Sequence, residues 1–268
     1  MPAPAPHTKE AAVALASVPV SSVESDIRRR TRIDLAAALR WSARMGFHEG
    51  ICNHFSAVIP GEDERFLINP HGYHWSEIRA SDLVEVDAEG NALDGKEPPE
   101  PTAFFIHYHI HRLVPTAKVV LHTHMPYATA LTMLEDGRLE PTLQTSLKFY
   151  DAIAYDDVYN GLALDDSEGQ RIAAALGTGK RVAFLANHGV VTTGQTIAHA
   201  FDDLYYLERA CQAQVIAMST GRPMRRIPQD VARMTADQMS SDSERAQAVR
   251  HFEALKRILD REEPEYRD

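Results

Sequence analysis

Cysteine is scarce in this sequence, whose 268 residues include only Cys52 and Cys211. Two thiols cannot build the disulfide framework of a small secreted domain, so we expect reduced cysteines in a cytoplasmic protein. Basic charge is also in short supply: 28 basic residues face 38 acidic ones, and the formal net charge is −10. This balance argues against duplex nucleic acid or an anionic membrane as a partner. No apolar run approaches the roughly 20 residues that cross a bilayer.

Apolar material is present in normal measure, since 44% of the residues are hydrophobic and 25% are charged. That composition is typical of a globular protein. Residues 1–24 are rich in proline, alanine and serine and have no basic segment before their apolar stretch. We therefore expect a flexible N-terminal arm rather than a signal peptide. Residues 25–262 read as one domain, and residues 263–268 as a short C-terminal tail.

Hydrophobic periodicity predicts an alternation of helices and strands. The predicted helices cover residues 22–46, 102–114, 127–134, 166–176, 196–220 and 242–262. The predicted strands cover residues 53–59, 65–69 and 118–122, a segment near Ile153, and two runs within 181–194, with a further hairpin at 83–93. Thr102 is the predicted N-cap of the second helix.

Histidine is abundant, with 13 residues, most of them between His48 and His124. His122 and His124 stand two residues apart at the end of a strand-like run, so their side chains share a face. His188 follows a second strand-like run and precedes a glycine. Three imidazoles gathered from two strand ends would leave open coordination positions, as catalytic metal sites do. Spacing alone favours this metal site no more than it favours ordinary structural histidines.

Longer segments carry a family resemblance: VVLHTHMPYATAL, LANHGVVTTGQTIAHAFDDLYYLERACQAQ, and NHFSAVIPG followed by FLINPHGYHWSEIRASDLVEVDAEGN. Together they make the chain similar to the class II aldolase/adducin family over nearly its whole length. The resemblance implies an α/β fold with three α/β/α layers around a mostly antiparallel sheet, and a homotetramer. It also implies that His122, His124 and His188 bind a divalent metal, with zinc expected first. Adducins share the fold but lack these ligands.

The sequence departs from the sugar-phosphate aldolases of that family in two places. Their proton-transfer glutamate falls on Ala103 when the sequences are aligned at His122 without a gap, and a methyl group carries no proton. The positions that hold the substrate phosphate correspond here to His54, His71 and Pro101-Thr102, so imidazoles replace most of the short polar donors. Both changes point away from a simple sugar-phosphate aldolase.

Six further residues are candidates for the site. The predicted substrate contacts are Asn53, His54, His71 and Thr102, and the predicted catalytic residues are His107 and Tyr127. His107 matches a position near the active site in the family, and could be a fourth ligand, a proton carrier or a surface histidine. Tyr127 could donate to a substrate carbonyl or pack in the core.

The leading functional hypothesis is a metal-dependent lyase of the aldolase type. Its ion would act as a Lewis acid on a small hydroxy- or oxo-carbonyl substrate and stabilise an enediolate during C–C cleavage or decarboxylation. One alternative is a non-haem Fe(II) oxygenase of an aromatic 2-oxo acid, because three imidazoles without a glutamate suit iron. The other is a non-catalytic adducin-like binding module, which the three histidines argue against.

Overall fold

Helices and strands alternate along the chain, as predicted. The computed structural model describes residues 20–268, so residues 1–19 of the predicted arm lie outside the described residues, and residues 20–24 open the first helix. The helices are α1 (Val20–Arg44), α2 (Pro101–Leu113), α3 (Pro126–Thr132), α4 (Gln144–Leu147), α5 (Asp166–Leu176), α6 (Ile197–Met218), α7 (Gln229–Met239) and α8 (Asp242–Glu262). The strands are β1 (His54–Ile59), β2 (Glu62–Ile68), β3 (Val84–Val86), β4 (Val119–Thr123), β5 (Ile153–Asp156), β6 (Val182–Leu185) and β7 (Gly189–Gly194).

All seven strands form one sheet, in the order β3-β2-β1-β4-β7-β6-β5. Neighbouring strands pair antiparallel except β5 and β6, which are parallel. The parallel pair exists because α5 connects β5 to β6 as a crossover, which returns the chain in the same direction. The α/β class and the mostly antiparallel sheet are thereby confirmed.

Helices cover both faces of the sheet, which confirms the three-layer arrangement. On one face α1, α3, α6 and α8 pack against strand residues such as Phe55, Leu121 and Val190 in the main hydrophobic core. On the other face α2 and α5 pack against residues such as Val120 and Val191. No helix among residues 20–268 combines the length and the hydrophobicity that crossing a membrane requires.

Alternation along the central strands places polar groups under α2. Phe55 and Ala57 of β1 face the main core, so His54 and Ser56 face the opposite layer. His54 pairs with His122 of β4 across the two antiparallel strands. Two buried imidazoles therefore lie side by side on the α2 face of the sheet.

The start of α2 differs from the prediction, because Thr102 is not the N-cap. Glu100 caps the helix, and its Oε2 accepts a hydrogen bond from the Ala103 amide at 3.1 Å. Pro101 takes the first helical position, where a missing N–H costs nothing. The Thr102 hydroxyl instead donates to the Glu100 carboxylate. The helix therefore begins at Pro101, and its N-cap lies two residues before the predicted one.

Residues 263–268, the predicted tail, pack on the domain. Residues Pro264–Arg267 form a short 3-10 helix, and Tyr266 is fully buried in the main core. Its phenol donates to Asp260 at 2.8 Å, and the Ser81 amide donates to the Asp268 carbonyl at 2.7 Å. The C-terminal residues thus close the core beside α1.

Candidate metal centre

Three histidines meet where two strands end. His122 lies in β4, His124 follows β4, and His188 lies in the turn between β6 and β7. One nitrogen from each ring can be chosen so that all three atoms lie within 4.8 Å of one another. The ring centroids are 4.8 to 5.1 Å apart. The structure therefore brings together the three residues that the sequence singled out as metal ligands.

The turn that carries His188 depends on the residues on either side of it. Asn187 adopts a left-handed conformation with φ of 57°, which asparagine tolerates better than most residues. A Cβ on Gly189 would come within 2.6 Å of the Thr123 carbonyl oxygen and 2.7 Å of the His124 ring. Glycine is required there so that the end of β4 and the turn can approach closely enough for the imidazoles to meet.

The tautomer of His122 is fixed by the backbone. Its Nδ1 lies 3.0 Å from the Val190 carbonyl oxygen, and because a carbonyl only accepts, Nδ1 carries the proton and Nε2 is left bare. Burial lowers the pKa of His122 well below its usual value of 6.5, and burial likewise lowers the pKa of His188 to about 4. Both rings are neutral at physiological pH, as a metal ligand must be.

The donor set fits a divalent transition metal. His124 Nε2 and His188 Nδ1 are buried without a hydrogen-bond partner, which is costly unless another group occupies the space between them. Within residues 20–268, the group that can hold an ion consists of three imidazoles and includes no carboxylate. Neutral imidazole suits Zn²⁺ and Fe²⁺, whereas Mg²⁺ and Ca²⁺ prefer oxygen ligands.

Glu49 orients His124, one of the three candidate ligands. Its Oε2 lies 2.5 Å from His124 Nδ1, so the carboxylate accepts the Nδ1 proton and leaves Nε2 for a metal. Carboxylate–histidine pairs of this kind fix the ring and raise its basicity in metal sites. No sequence motif marks Glu49 as part of the site, because its contact with His124 joins residues 75 positions apart.

Glu49→Gln should weaken metal binding without unfolding the protein. An amide accepts the same hydrogen bond with less charge, so we expect Zn²⁺ affinity to fall about tenfold, the lower end for such partners. Competition titration with a chromophoric chelator measures the affinity. Glu89→Gln, in the exposed turn after β3, is the matched control and should bind Zn²⁺ like wild type. Equal affinity in both variants would show that Glu49 does not support the site.

Asn53 links the segment that contains Glu49 to the residue that follows β4, through hydrogen bonds to two backbone amides. Its Oδ1 accepts from the Glu49 amide at 2.7 Å and from the His124 amide at 3.4 Å. Those two donors fix the orientation of the side chain, and Nδ2 is left buried without a partner. Asn53 thus offers an unused N–H donor beside the three histidines.

A buried hydrogen-bonded chain runs from the metal centre into the layer under α2. His54 Nδ1 lies 2.7 Å from His107 Nε2, and the His54 ring centroid is 4.8 Å from that of His122. His107 Nδ1 contacts the Ser56 hydroxyl, which also lies 2.7 Å from His111 Nε2. His107 is fully buried with both nitrogens engaged, so it reaches the metal centre only through His54.

Among residues 20–268, no hydrogen bond or ring contact joins the remaining candidates to the three histidines. His71 is exposed in the loop after β2 and makes no hydrogen bond or ring contact with them among the described residues. Thr102 contacts Glu100 at the start of α2. Tyr127 begins α3, and its side chain packs against the main core, the second of the two alternatives that the sequence left open.

Glu208 of α6 anchors α3, which directly follows the ligand pair. This buried carboxylate accepts from the Tyr127 amide at 2.9 Å and the Ala128 amide at 2.8 Å. Glu208→Ala leaves both amides unpaired, and we expect the free energy of unfolding to fall by about 2–3 kcal/mol. Glu208→Gln keeps one acceptor and should lose less. Urea unfolding measures both, and equal stability of the two variants would contradict this account of Glu208.

One aromatic residue that sequence reasoning missed borders the centre. The Tyr159 ring centroid lies 6.4 Å from that of His188, in the segment between β5 and α5. Val158, Leu162 and Leu164 of the same segment are exposed apolar residues. No sequence motif marks this rim, because it depends on the β5–β6 crossover lying beside the turn that holds His188.

The chain belongs to the class II aldolase and adducin family. Residues 33–215 match the family described as Class II Aldolase and Adducin N-terminal domain, which confirms the resemblance. A class 2 aldolase-family protein of Caulobacter vibrioides is 41% identical over 211 residues, 78% of this chain and 80% of its own. Decarboxylase NovR of Streptomyces niveus is 32% identical over 225 residues, 83% of this chain and 82% of its own.

A further relative carries a different activity in its name. The 4-hydroxy-3-prenylphenylpyruvate oxygenase/4-hydroxy-3-prenylbenzoate synthase of Streptomyces roseochromogenus subsp. oscitans is also 32% identical over 225 residues, 83% of this chain and 80% of its own. Among solved structures, an aldolase II superfamily protein from Pseudomonas syringae is 38% identical with a TM-score of 0.85, covering 92% of this chain and all of that one. L-fuculose 1-phosphate aldolase from Glaciozyma antarctica PI12 is 27% identical with a TM-score of 0.78, covering 95% and 98%.

Proposed function

We propose that this protein is a divalent-metal-dependent lyase that cleaves or decarboxylates a small hydroxy- or oxo-carbonyl compound. The observation that carries the proposal is the group of three imidazoles from two strand ends, two of which keep a buried nitrogen with no partner. The similarity to NovR and to L-fuculose 1-phosphate aldolase supports C–C bond chemistry. Zn²⁺ is the proposed ion, because neutral imidazole donors suit it.

His122, His124 and His188 would hold the ion, and Glu49 would orient His124. A bound divalent cation supplies Lewis acidity, which stabilises the negative charge that develops on substrate oxygens as the C–C bond breaks. The chain supplies the remaining polar groups. Their positions decide how a substrate is oriented beside the three histidines.

Asn53 and His54 are the substrate contacts that the geometry supports best. Asn53 Nδ2 is an unused donor within the loop that packs on His124, and it would bind a substrate carboxylate or carbonyl oxygen. The His54 ring lies next to the His122 ring, with the two centroids 4.8 Å apart. His107 would act on the substrate through His54 as a positioning residue. His71, Thr102 and Tyr127 stay predictions, since no hydrogen bond or ring contact within residues 20–268 joins them to the three histidines.

A second candidate is a non-haem Fe(II) oxygenase of an aromatic 2-oxo acid. The name of the 32% identical Streptomyces roseochromogenus relative favours it, and so does the absence of a carboxylate from the three-histidine group within residues 20–268. Tyr159 beside His188 would suit an aromatic ring through edge or stacking contacts. An iron centre would supply oxygen activation in place of Lewis acidity.

Metal analysis combined with oxygen dependence separates the candidates. The protein is purified without oxygen, its metal content is measured, and the Zn²⁺ and Fe²⁺ forms are incubated with panels of 2-hydroxy and 2-oxo acids. The lyase proposal predicts product from the Zn²⁺ form without oxygen, and loss of activity with chelator. Product only from the Fe²⁺ form, with stoichiometric oxygen uptake, would favour the oxygenase. Failure to bind either metal would favour a non-catalytic, adducin-like module.

We also propose a cytoplasmic homotetramer, as the family resemblance implies. The exposed apolar segment with Val158, Leu162 and Leu164 lies next to the metal centre and would suit a subunit contact. Sedimentation equilibrium measures the assembly directly. A monomer at micromolar concentration would refute the tetramer without affecting the metal site.

A further inference from the structure

We propose that the buried chain His54–His107–Ser56–His111 fixes His54 as a hydrogen-bond acceptor toward the metal centre, so that the site selects substrates with a hydroxyl group beside the ion. The inference rests on the proposed function for the identity of the ligand. The direction of the hydrogen bonds follows from the structure of the chain itself. His54 is therefore a specificity-determining residue, and the other three are positioning residues.

The direction of the hydrogen bonds is set at His111, the member of the chain farthest from the metal centre along the hydrogen bonds. His111 Nδ1 lies 2.7 Å from the Ala117 carbonyl oxygen, which can only accept, so Nδ1 carries a proton. Burial is the largest cause that lowers the pKa of His111, to about 4, and nearby Lys118 lowers it further. A neutral His111 has one ring proton, so its Nε2 is bare and accepts.

Ser56 links His111 to His107, and its single hydroxyl hydrogen fixes which of the two rings donates. The Ser56 hydroxyl has one hydrogen, and because His111 Nε2 accepts it, Ser56 Oγ must accept from His107 Nδ1. Burial lowers the pKa of His107 well below 6.5, so its ring is also neutral. The His107 proton is then on Nδ1, and His107 Nε2 is an acceptor.

The direction of the hydrogen bonds continues through His107 to His54, beside the metal centre. His107 Nε2 accepts across 2.7 Å, so His54 Nδ1 must donate. A neutral His54 ring with its proton on Nδ1 has a bare Nε2. His54 Nε2 makes no hydrogen bond within the described part of the chain, and the His54 ring lies beside that of His122. The acceptor is thus available to a ligand at the metal centre.

An acceptor in a nearly enclosed site discriminates between ligands. His54 is 6% exposed, so a ligand that covers it must donate a hydrogen or leave the nitrogen unpaired. Sites built to pair a substrate hydroxyl reject analogues that lack it far more strongly than apolar pockets reject a missing methylene. The expected substrate class is a 2-hydroxy carbonyl compound, whose hydroxyl hydrogen would point at His54.

Tautomers can be read directly by NMR, and the metal-free protein suffices. Long-range ¹H–¹⁵N correlation spectra of ¹⁵N-histidine-labelled full-length protein at pH 7.5 distinguish protonated from bare ring nitrogens. We expect His54, His107 and His111 each to carry the proton on Nδ1. A proton on Nε2 of His54 would overturn the proposal, and this readout needs no variant and no activity.

Ser56→Ala tests whether the chain fixes the direction. Removing the hydroxyl should leave His111 protonated on Nδ1 while His107 and His54 lose their single tautomer. Ser42→Ala, which removes a buried hydroxyl without a partner, is the matched control and should leave all three unchanged. Retention of the Nδ1 tautomer at His54 in Ser56→Ala would show that Ser56 does not set it.

Ligand selection is tested with lactate and its O-methyl ether, 2-methoxypropionate, on the Zn²⁺-loaded protein. Wild type and Ser42→Ala should bind lactate about tenfold more tightly than the ether, the size of one lost hydrogen bond of about 1.4 kcal/mol. In Ser56→Ala the ratio should fall below about threefold. An unchanged affinity ratio in Ser56→Ala would overturn the proposed selection of hydroxyl-bearing ligands. Failure of the wild type to bind Zn²⁺ would overturn the proposed function, whereas the NMR test of the tautomers would still apply.

Discussion

His188→Ala will abolish metal binding and activity while leaving the protein folded. Of the three proposed ligands, His188 alone comes from the β6–β7 turn, and the two imidazoles at the end of β4 would hold a divalent ion weakly by themselves. We expect less than about a tenth of the wild-type Zn²⁺ content. Activity should fall about a thousandfold or more, because Lewis-acid stabilisation contributes several kcal/mol and each 1.4 kcal/mol is a factor of ten.

Elemental analysis and a turnover assay measure this effect, and circular dichroism checks the fold. His199→Ala is the matched control, since His199 lies in the first turn of α6 and is absent from the three-histidine group. It should retain wild-type metal and activity. Full Zn²⁺ content in His188→Ala would mean that the ion is held by other residues.

Metal-free protein will lose stability steeply as the pH falls below about 6.5. Partial or complete burial lowers the pKa of five histidines, to about 4 for His111 and His188 and well below 6.5 for His54, His107 and His122. In the unfolded chain each titrates near 6.5. Below that pH the unfolded state therefore binds protons that the folded state does not, which favours unfolding. Above it neither state is protonated, and these groups add no slope.

The size of the effect follows from the number of groups. Each histidine lowers the free energy of unfolding by up to about 1.4 kcal/mol per pH unit between 6.5 and its folded pKa, so five together give up to about 7 kcal/mol per unit. Urea unfolding of chelator-treated protein at pH 7.5, 6.5 and 5.5 measures the slope. His111→Gln removes one of the titrating groups and should reduce the slope by up to about 1.4 kcal/mol per pH unit. A flat profile from pH 7.5 to 5.5 would show that these five histidines are not held neutral in the folded protein.

The regular elements were predictable where capping residues mark their ends. The predicted bounds of α5 and α8 agree with the structure. For α5 the Asp165 side chain accepts from the Ser167 amide at the start, and Gly177, with φ of 53°, ends the helix. Helix α7 was not predicted: it is mostly polar, and Ala232 is its only buried residue.

The site was only partly predictable, for a reason of distance along the chain. His122 and His124 could be paired by strand spacing, and His188 was a candidate because it follows a second strand-like run; the family resemblance then favoured all three as metal ligands. Glu49 and the His54–His107–Ser56–His111 chain could not be found in that way, because their contacts join residues 51 to 75 positions apart. Helical spacing places His107 and His111 on one face of α2, but it carries no sign that the Ser56 hydroxyl contacts both of them.

The direct test of a metal held by imidazoles is X-ray absorption at the zinc edge on protein loaded with one equivalent of Zn²⁺. The account predicts a first shell of nitrogen and oxygen at about 2.0–2.1 Å, with outer-shell scattering from three imidazole rings. Scattering from fewer than two rings, or a sulfur ligand at about 2.3 Å, would contradict it, because the ion would then lie away from His122, His124 and His188.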